Sequence, residues 1–217
     1  MLSEIKKISS LLLSVAFSSI GFIASITVTV LAAREVSSNP LFVGFPNAVG
    51  VGGAVLGTRM IYLISKNNSQ LNALAFTFLI GAFGGAIMFY SLIVDSFVLL
   101  LFGAFILGIG QSATLQTRYA ASFVASEKFK ATALSLAVWF SVFGSVFGPR
   151  MVGSYSNFFE NIFNSELIVG YVIALVGMLF AASSLFIFTS KKSILRSPSN
   201  LESESNNQNS NKKNGNL

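Results

Sequence analysis

The stretch Ser96-Phe-Val-Leu-Leu-Leu-Phe-Gly103-Ala-Phe-Ile-Leu-Gly108-Ile-Gly110-Gln111-Ser-Ala-Thr114-Leu-Gln116-Thr117 carries no charged residue. Wound as an α-helix it measures about 33 Å, enough to cross the ~30 Å hydrocarbon core of a bilayer. Backbone groups in lipid must bond within the chain, and this run lacks the alternation of a barrel strand. It reads as a transmembrane helix. Working outward, comparable apolar segments occupy 8–33, 36–65, 71–94, 131–149 and 167–190. The connections between them are short, which implies an up-and-down bundle with antiparallel neighbours. The expected fold is an all-α membrane protein with six transmembrane helices over residues 1–190.

Composition agrees with the bilayer as solvent. Of 217 residues, 53% are hydrophobic and 10% charged, with a mean hydropathy of +0.72; soluble proteins carry about 25% charged residues. The 22 Phe and 18 Gly suit lipid-facing helices that approach one another closely. There is no Cys and no His, which removes disulfides, thiolate chemistry, imidazole metal ligands and the commonest general base. The net charge of +6 is scattered among apolar blocks without a basic patch, so nucleic acid is not an expected partner. Lys6 and Lys7 precede an apolar run reaching Ala33, too long for the core of a cleavable signal peptide.

Charge placement orients the bundle. With the N-terminus in the cytoplasm, twelve of the 14 Lys and Arg fall on the cytoplasmic side, and only Arg34 and Arg150 on the other. Positive charge is retained inside, so both termini are expected in the cytoplasm and the protein in the plasma membrane. After Ser190 the chain turns polar. Lys191, Lys192 and Arg196 form a stop-transfer cluster, and 197–217 is rich in Asn, Ser, Gln, Glu and Lys. Residues 191–217 are expected to be a disordered cytoplasmic tail or a remnant of a central linker.

Within the spans, Gly53 and Gly57 form a GxxxG pair, and Pro46 is expected to kink the outer half of the second helix. In the fifth span Ala137, Ser141, Gly144 and Gly148, followed by Pro149, place small residues on one helix face. Gly53, Gly57, Gly144, Gly148 and Pro149 are the expected helix-packing motif. If the six helices are two inverted groups of three, the glycine-rich second and fifth spans are symmetry mates.

No enzyme constellation is present: acidic residues lie in loops or tails, and no GxxxxGK[ST] occurs. No metal and no cofactor are expected. Polar residues in lipid are costly unless they face a cavity or a partner helix. Asn47, Gln111, Thr114 and Gln116 are therefore the candidates for a substrate pathway, with interhelical bonding as their alternative use. Ser14, Ser18, Ser25 and Thr29 recur along the first span, where such hydroxyls often bond their own helix. Arg59, Lys66 and Arg118 sit near helix ends, as cytoplasmic gate contacts or as side chains snorkelling to the interface.

The block from Gly108 to Pro149 also resembles a family. It contains Gly108-Ile-Gly110, Gln116-Thr-Arg118-Tyr119-Ala120-Ala121, Ser126-Glu127-Lys128, Ala131-Thr-Ala133-Leu134-Ser135, Val138-Trp139 and Gly144-Ser-Val-Phe-Gly148-Pro149. In this order it is similar to the fourth and fifth helices of prokaryotic transporters of the major facilitator superfamily. Two positions depart from the family pattern. Tyr62 stands where the loop after helix two usually has an Asp, and Ala104 to Gly110 lack the helix-four Arg often linked to proton coupling. The resemblance implies the N-terminal six-helix half of a twelve-helix secondary transporter, moving a small solute by alternating access between two domains. The second half would be a separate chain or a second copy. The competing functions are a non-transporting membrane subunit or inactive truncated fragment, and an oligomeric channel, which the missing filter signatures disfavour.

The orientation is testable because the native chain has no Cys. Asp95→Cys and Glu160→Cys should react with an impermeant thiol reagent added outside intact cells. Ser126→Cys and Ser203→Cys should not, and labelling of Ser126→Cys from outside would reverse the topology.

Overall fold

The computed structural model describes residues 2–37, 40–67, 69–163 and 165–191. Six long helices follow one another: α1 (Leu2–Val36), α2 (Phe45–Asn67), α3 (Gln70–Ile93), α4 (Phe97–Val124), α5 (Lys130–Phe163) and α6 (Ile168–Lys191). Single 3-10 turns, Pro40–Phe42 and Glu127–Phe129, precede α2 and α5. All six helices are long and apolar enough to cross a membrane, and there is no strand among the described residues. The tail expected over 191–217 lies, beyond Lys191, outside the described residues.

Local chemistry sets the helix ends. Between α3 and α4 the chain reverses through Asp95, whose φ of 50° is left-handed, a conformation that Asp tolerates better than most residues. Ser96 then caps α4, its side chain accepting from the Leu99 amide at 3.4 Å. Two boundaries differ from the sequence expectation. The second span was expected from 36, but α1 runs through Val36 and α2 starts only at Phe45. Pro46 therefore sits in the first turn of α2, where its missing N–H has no bond to lose, and the kink expected in the outer half of the helix has no cause.

The fifth span was expected to stop at Pro149, but α5 continues through it to Phe163. One proline forfeits one backbone bond, whereas unwinding residues 150–163 would free many more. Those residues are also anchored by packing. Phe159 stacks on Phe163 at 6.2 Å, and Phe163 meets Phe89 of α3 edge-on at 5.5 Å.

The packing has a simple order. Helix α1 packs on α5 and α6, α4 packs on α2 and α3, and α3 meets α6 while α1 meets α4. Exchanging α1, α2 and α3 with α4, α5 and α6 leaves this set of pairs unchanged. The core also includes Phe78, Met88, Tyr171 and Met178, all fully buried. Helices α2 and α5 flank it: 17% and 28% of their apolar stretches are buried, against 50–56% in the other four. Helices α1 and α6 are further joined by reciprocal bonds, from Ser14 Oγ to the Ala181 carbonyl at 3.2 Å and from Ser184 Oγ to the Ser10 carbonyl at 2.7 Å.

Helices come closest where a glycine faces its neighbour. A Cβ on Gly53 would run into the Phe105 carbonyl of α4, and one on Gly57 would stand 2.7 Å from the Ile109 carbonyl. On the other side of the bundle, a Cβ on Gly144 would lie 2.5 Å from Ser19 Cβ, and one on Gly148 3.0 Å from the Ile20 carbonyl. Pro149 is exposed. Gly52, one residue from Gly53, faces open space. Gly53→Ala should accordingly lower the melting temperature in detergent, since overpacking costs ~1–3 kcal/mol. Gly52→Ala should leave it unchanged or raise it, because Ala in a helix is favoured by ~1 kcal/mol. Equal responses would show that α2 and α4 are not in backbone contact at Gly53.

Candidate functional site: a polar cavity and the α4 stripe

A cavity of about 240 Å³ lies between α1, α2 and α4. Its polar lining consists of Ser25 and Thr29 from α1, Asn47 from α2 and Gln111 from α4, among apolar neighbours that include Met88. Gly50 and Gly108 also line it, and a Cβ on Gly108 would collide with the Gly50 carbonyl. The α2 and α4 backbones thus close one side of the cavity directly.

The polar groups are not equivalent. Ser25 Oγ donates to the Phe22 carbonyl at 2.7 Å, and Thr29 Oγ1 donates to the Ser25 carbonyl at 2.6 Å. Thr29 also accepts from the buried Tyr171 hydroxyl at 3.5 Å. These hydroxyls are committed to the protein. Asn47 and Gln111 are half-buried, and no hydrogen bond among the described residues uses either carboxamide. Each offers both donors and an acceptor to whatever enters the cavity.

A second polar group continues along α4. Gln111, Thr114 and Arg118 are three and four residues apart and share one helix face. Thr114 is 3% exposed, and its hydroxyl is buried without a hydrogen-bond partner. Arg118 is half-buried. Its Nη2 donates to Ser141 Oγ of α5 at 2.6 Å, and Ser19 of α1 donates to the same hydroxyl oxygen at 3.4 Å. The Arg118 Nε is buried with no partner.

The remaining candidates stand elsewhere. Gln116 is half-buried and, five residues from Gln111, lies on a different face of α4. Arg59 and Lys66 are exposed on α2, in surroundings unlike the interior contact of Arg118. The sequence reading did not single out Ser19, and it placed Ser141 only in a small-residue stripe. Ser141 accepts from both Arg118 and Ser19 and so joins three helices, which no spacing within one helix could reveal.

The chain is 30% identical over 175 residues to the uncharacterized MFS-type transporter YdeG of Bacillus subtilis (strain 168). It is equally identical over 183 residues to the uncharacterized MFS-type transporter YddS of the same organism. The matches cover 81% and 84% of this chain. The chain belongs to the major facilitator superfamily. It spans about two-fifths of the length of these curated relatives, 41% and 42%. No family model matches it, and no solved structure does.

The two hydroxyls beside Arg118 should respond differently to removal. Ser141→Ala takes away the acceptor of a charge-assisted bond worth ~1.5–3 kcal/mol and should lower the melting temperature. Thr114→Val removes a buried hydroxyl that has no partner and should not lower it. Equal losses in the two variants, measured in detergent, would mean that the Thr114 hydroxyl is bonded.

Proposed function

We propose that this chain is one six-helix domain, the N-terminal half, of a secondary transporter that moves a small solute by alternating access. Its termini lie in the cytoplasm and its bilayer is the plasma membrane. The observation that carries this reading is the cavity between α1, α2 and α4, where the carboxamides of Asn47 and Gln111 are free to bond a solute. A second six-helix unit, either a separate chain or another copy, covers the cavity face and completes the site. The matched region is about two-fifths of each relative, which leaves room in those proteins for a second domain of similar size. The charge distribution of twelve Lys and Arg against two supports the orientation, and Arg59, Lys66 and Arg118 on that reading lie toward the cytoplasmic half. Gln116 remains a pathway candidate at the same end.

Cross-linking in native membranes tests the partnership without knowledge of the solute. Val51 lines the cavity and is 64% exposed on α2, whereas Phe83 is 63% exposed on α3 and does not line it. Val51→Cys should be captured by a bifunctional thiol or thiol–amine reagent in an adduct with a second six-helix chain or a second copy. Phe83→Cys should give no such adduct. Equal capture at both positions, or capture at neither, would overturn the two-domain reading, as would a monomer that carries a solute into proteoliposomes.

A further inference from the structure

The least explained group in the bundle is the Arg118 guanidinium. Helices α4 and α5 are joined at Val124 and Lys130, so depth can be measured along both from the same end. At 1.5 Å per residue, Arg118 lies about 9 Å from that end and Ser141 about 16 Å. The side chain therefore reaches inward, toward the middle of the helices, rather than snorkelling outward to the interface. A cation at such a position is costly unless it is paired. No Asp or Glu occurs in α4 or α6, and α5 has only Glu160 near its far end. Among the described residues of this region Lys130 pairs with Glu127 at 2.6 Å, and Arg118 meets no carboxylate.

The protein supplies neutral groups instead. Ser141 engages Nη2, which leaves the Nε donor unused. One turn away on the same face, the buried Thr114 hydroxyl is also unused. Two turns away is Gln111, which lines the cavity. One fixed cation with a free Nε–H and one neutral hydroxyl fit the two oxygens of a single carboxylate. A doubly charged phosphate would keep an uncompensated charge there.

We infer that the solute is an organic anion with a single carboxylate, held by Arg118 and Thr114 while Ser141, itself bonded by Ser19, fixes the guanidinium. The rest of the solute lies toward Asn47 and Gln111. This inference rests on the transporter reading and narrows its substrate class.

Thermal unfolding of the purified full-length chain tests it, with benzoate, its neutral isostere benzamide and inorganic phosphate as probes at matched ionic strength. Benzoate should raise the melting temperature progressively, with the logarithm of its concentration once the site is mostly filled, while benzamide and phosphate should not. Arg118→Gln should weaken the benzoate response about tenfold or more, the loss of one charge-assisted contact. Arg118→Lys should retain part of the response, because the charge stays and the fork is lost. Thr114→Val should reduce it as well, and these two variants decide the matter if Arg118→Gln does not fold. Equal responses to benzoate and benzamide, an unchanged benzoate response in the variants, or a larger response to phosphate would overturn the inference. Capture of a partner at Val51→Cys without benzoate discrimination would remove the carboxylate assignment alone. Benzoate discrimination without capture would remove the two-domain reading and leave the anion site.

Discussion

Backbone amides in hydrocarbon have no water to bond, and lipid tails are as apolar as the side chains that meet them. The first condition makes every spanning segment a helix. The second removes the hydrophobic drive that holds soluble helices together and leaves van der Waals contact and interhelical hydrogen bonds in its place. Both work best when backbones come close. In this bundle Gly53 and Gly57 bring α2 onto α4, and Gly144 and Gly148 bring α5 onto α1. The cavity depends on the first pair, because the α2–α4 contact forms one of its walls.

The same constraint explains why α5 tolerates Pro149. In water a proline followed by Arg150 and Gly153 would be a natural place to end a helix, since solvent can satisfy the freed carbonyls. Here the helix carries on to Phe163, where the aromatic contacts with Phe89 and Phe159 hold it. At α2 the outcome is reversed. The helix begins late, at Phe45, and Pro46 falls into a first turn that has no use for its amide.

Polar groups inside the bundle divide by whether the protein consumes them. Ser18, Ser25, Thr29 and Thr117 donate to carbonyls of their own helix, and Ser14 and Ser184 join α1 to α6. Asn47, Gln111, Thr114 and the Nε of Arg118 have no such partner among the described residues. Three of these four lie on one face of α4. The bundle thus keeps unspent hydrogen-bonding capacity along one interior stripe of α4.

The number and type of the helices were legible in the sequence, because burial in lipid is a property of each segment by itself: a charge-free run of the right length is a span whatever surrounds it. The family was legible for a related reason, since the ordered features from Gly108 to Pro149 lie in one continuous block. Candidate polar residues could also be named one by one, because a carboxamide or hydroxyl in a span is expensive wherever it sits. What each one touches was decided only by the tertiary structure. Spacing put Gln111 and Thr114 on a shared face, but only the packing of α2 against α4 brings Asn47 to the cavity beside Gln111. Arg118 near a helix end reads as a gate or a snorkelling side chain until α5 and α1 supply Ser141 and Ser19 from positions 23 and 99 residues away in sequence. Helix ends were equally out of reach at Pro46 and Pro149, where the outcome turns on bonds and contacts contributed by other parts of the chain.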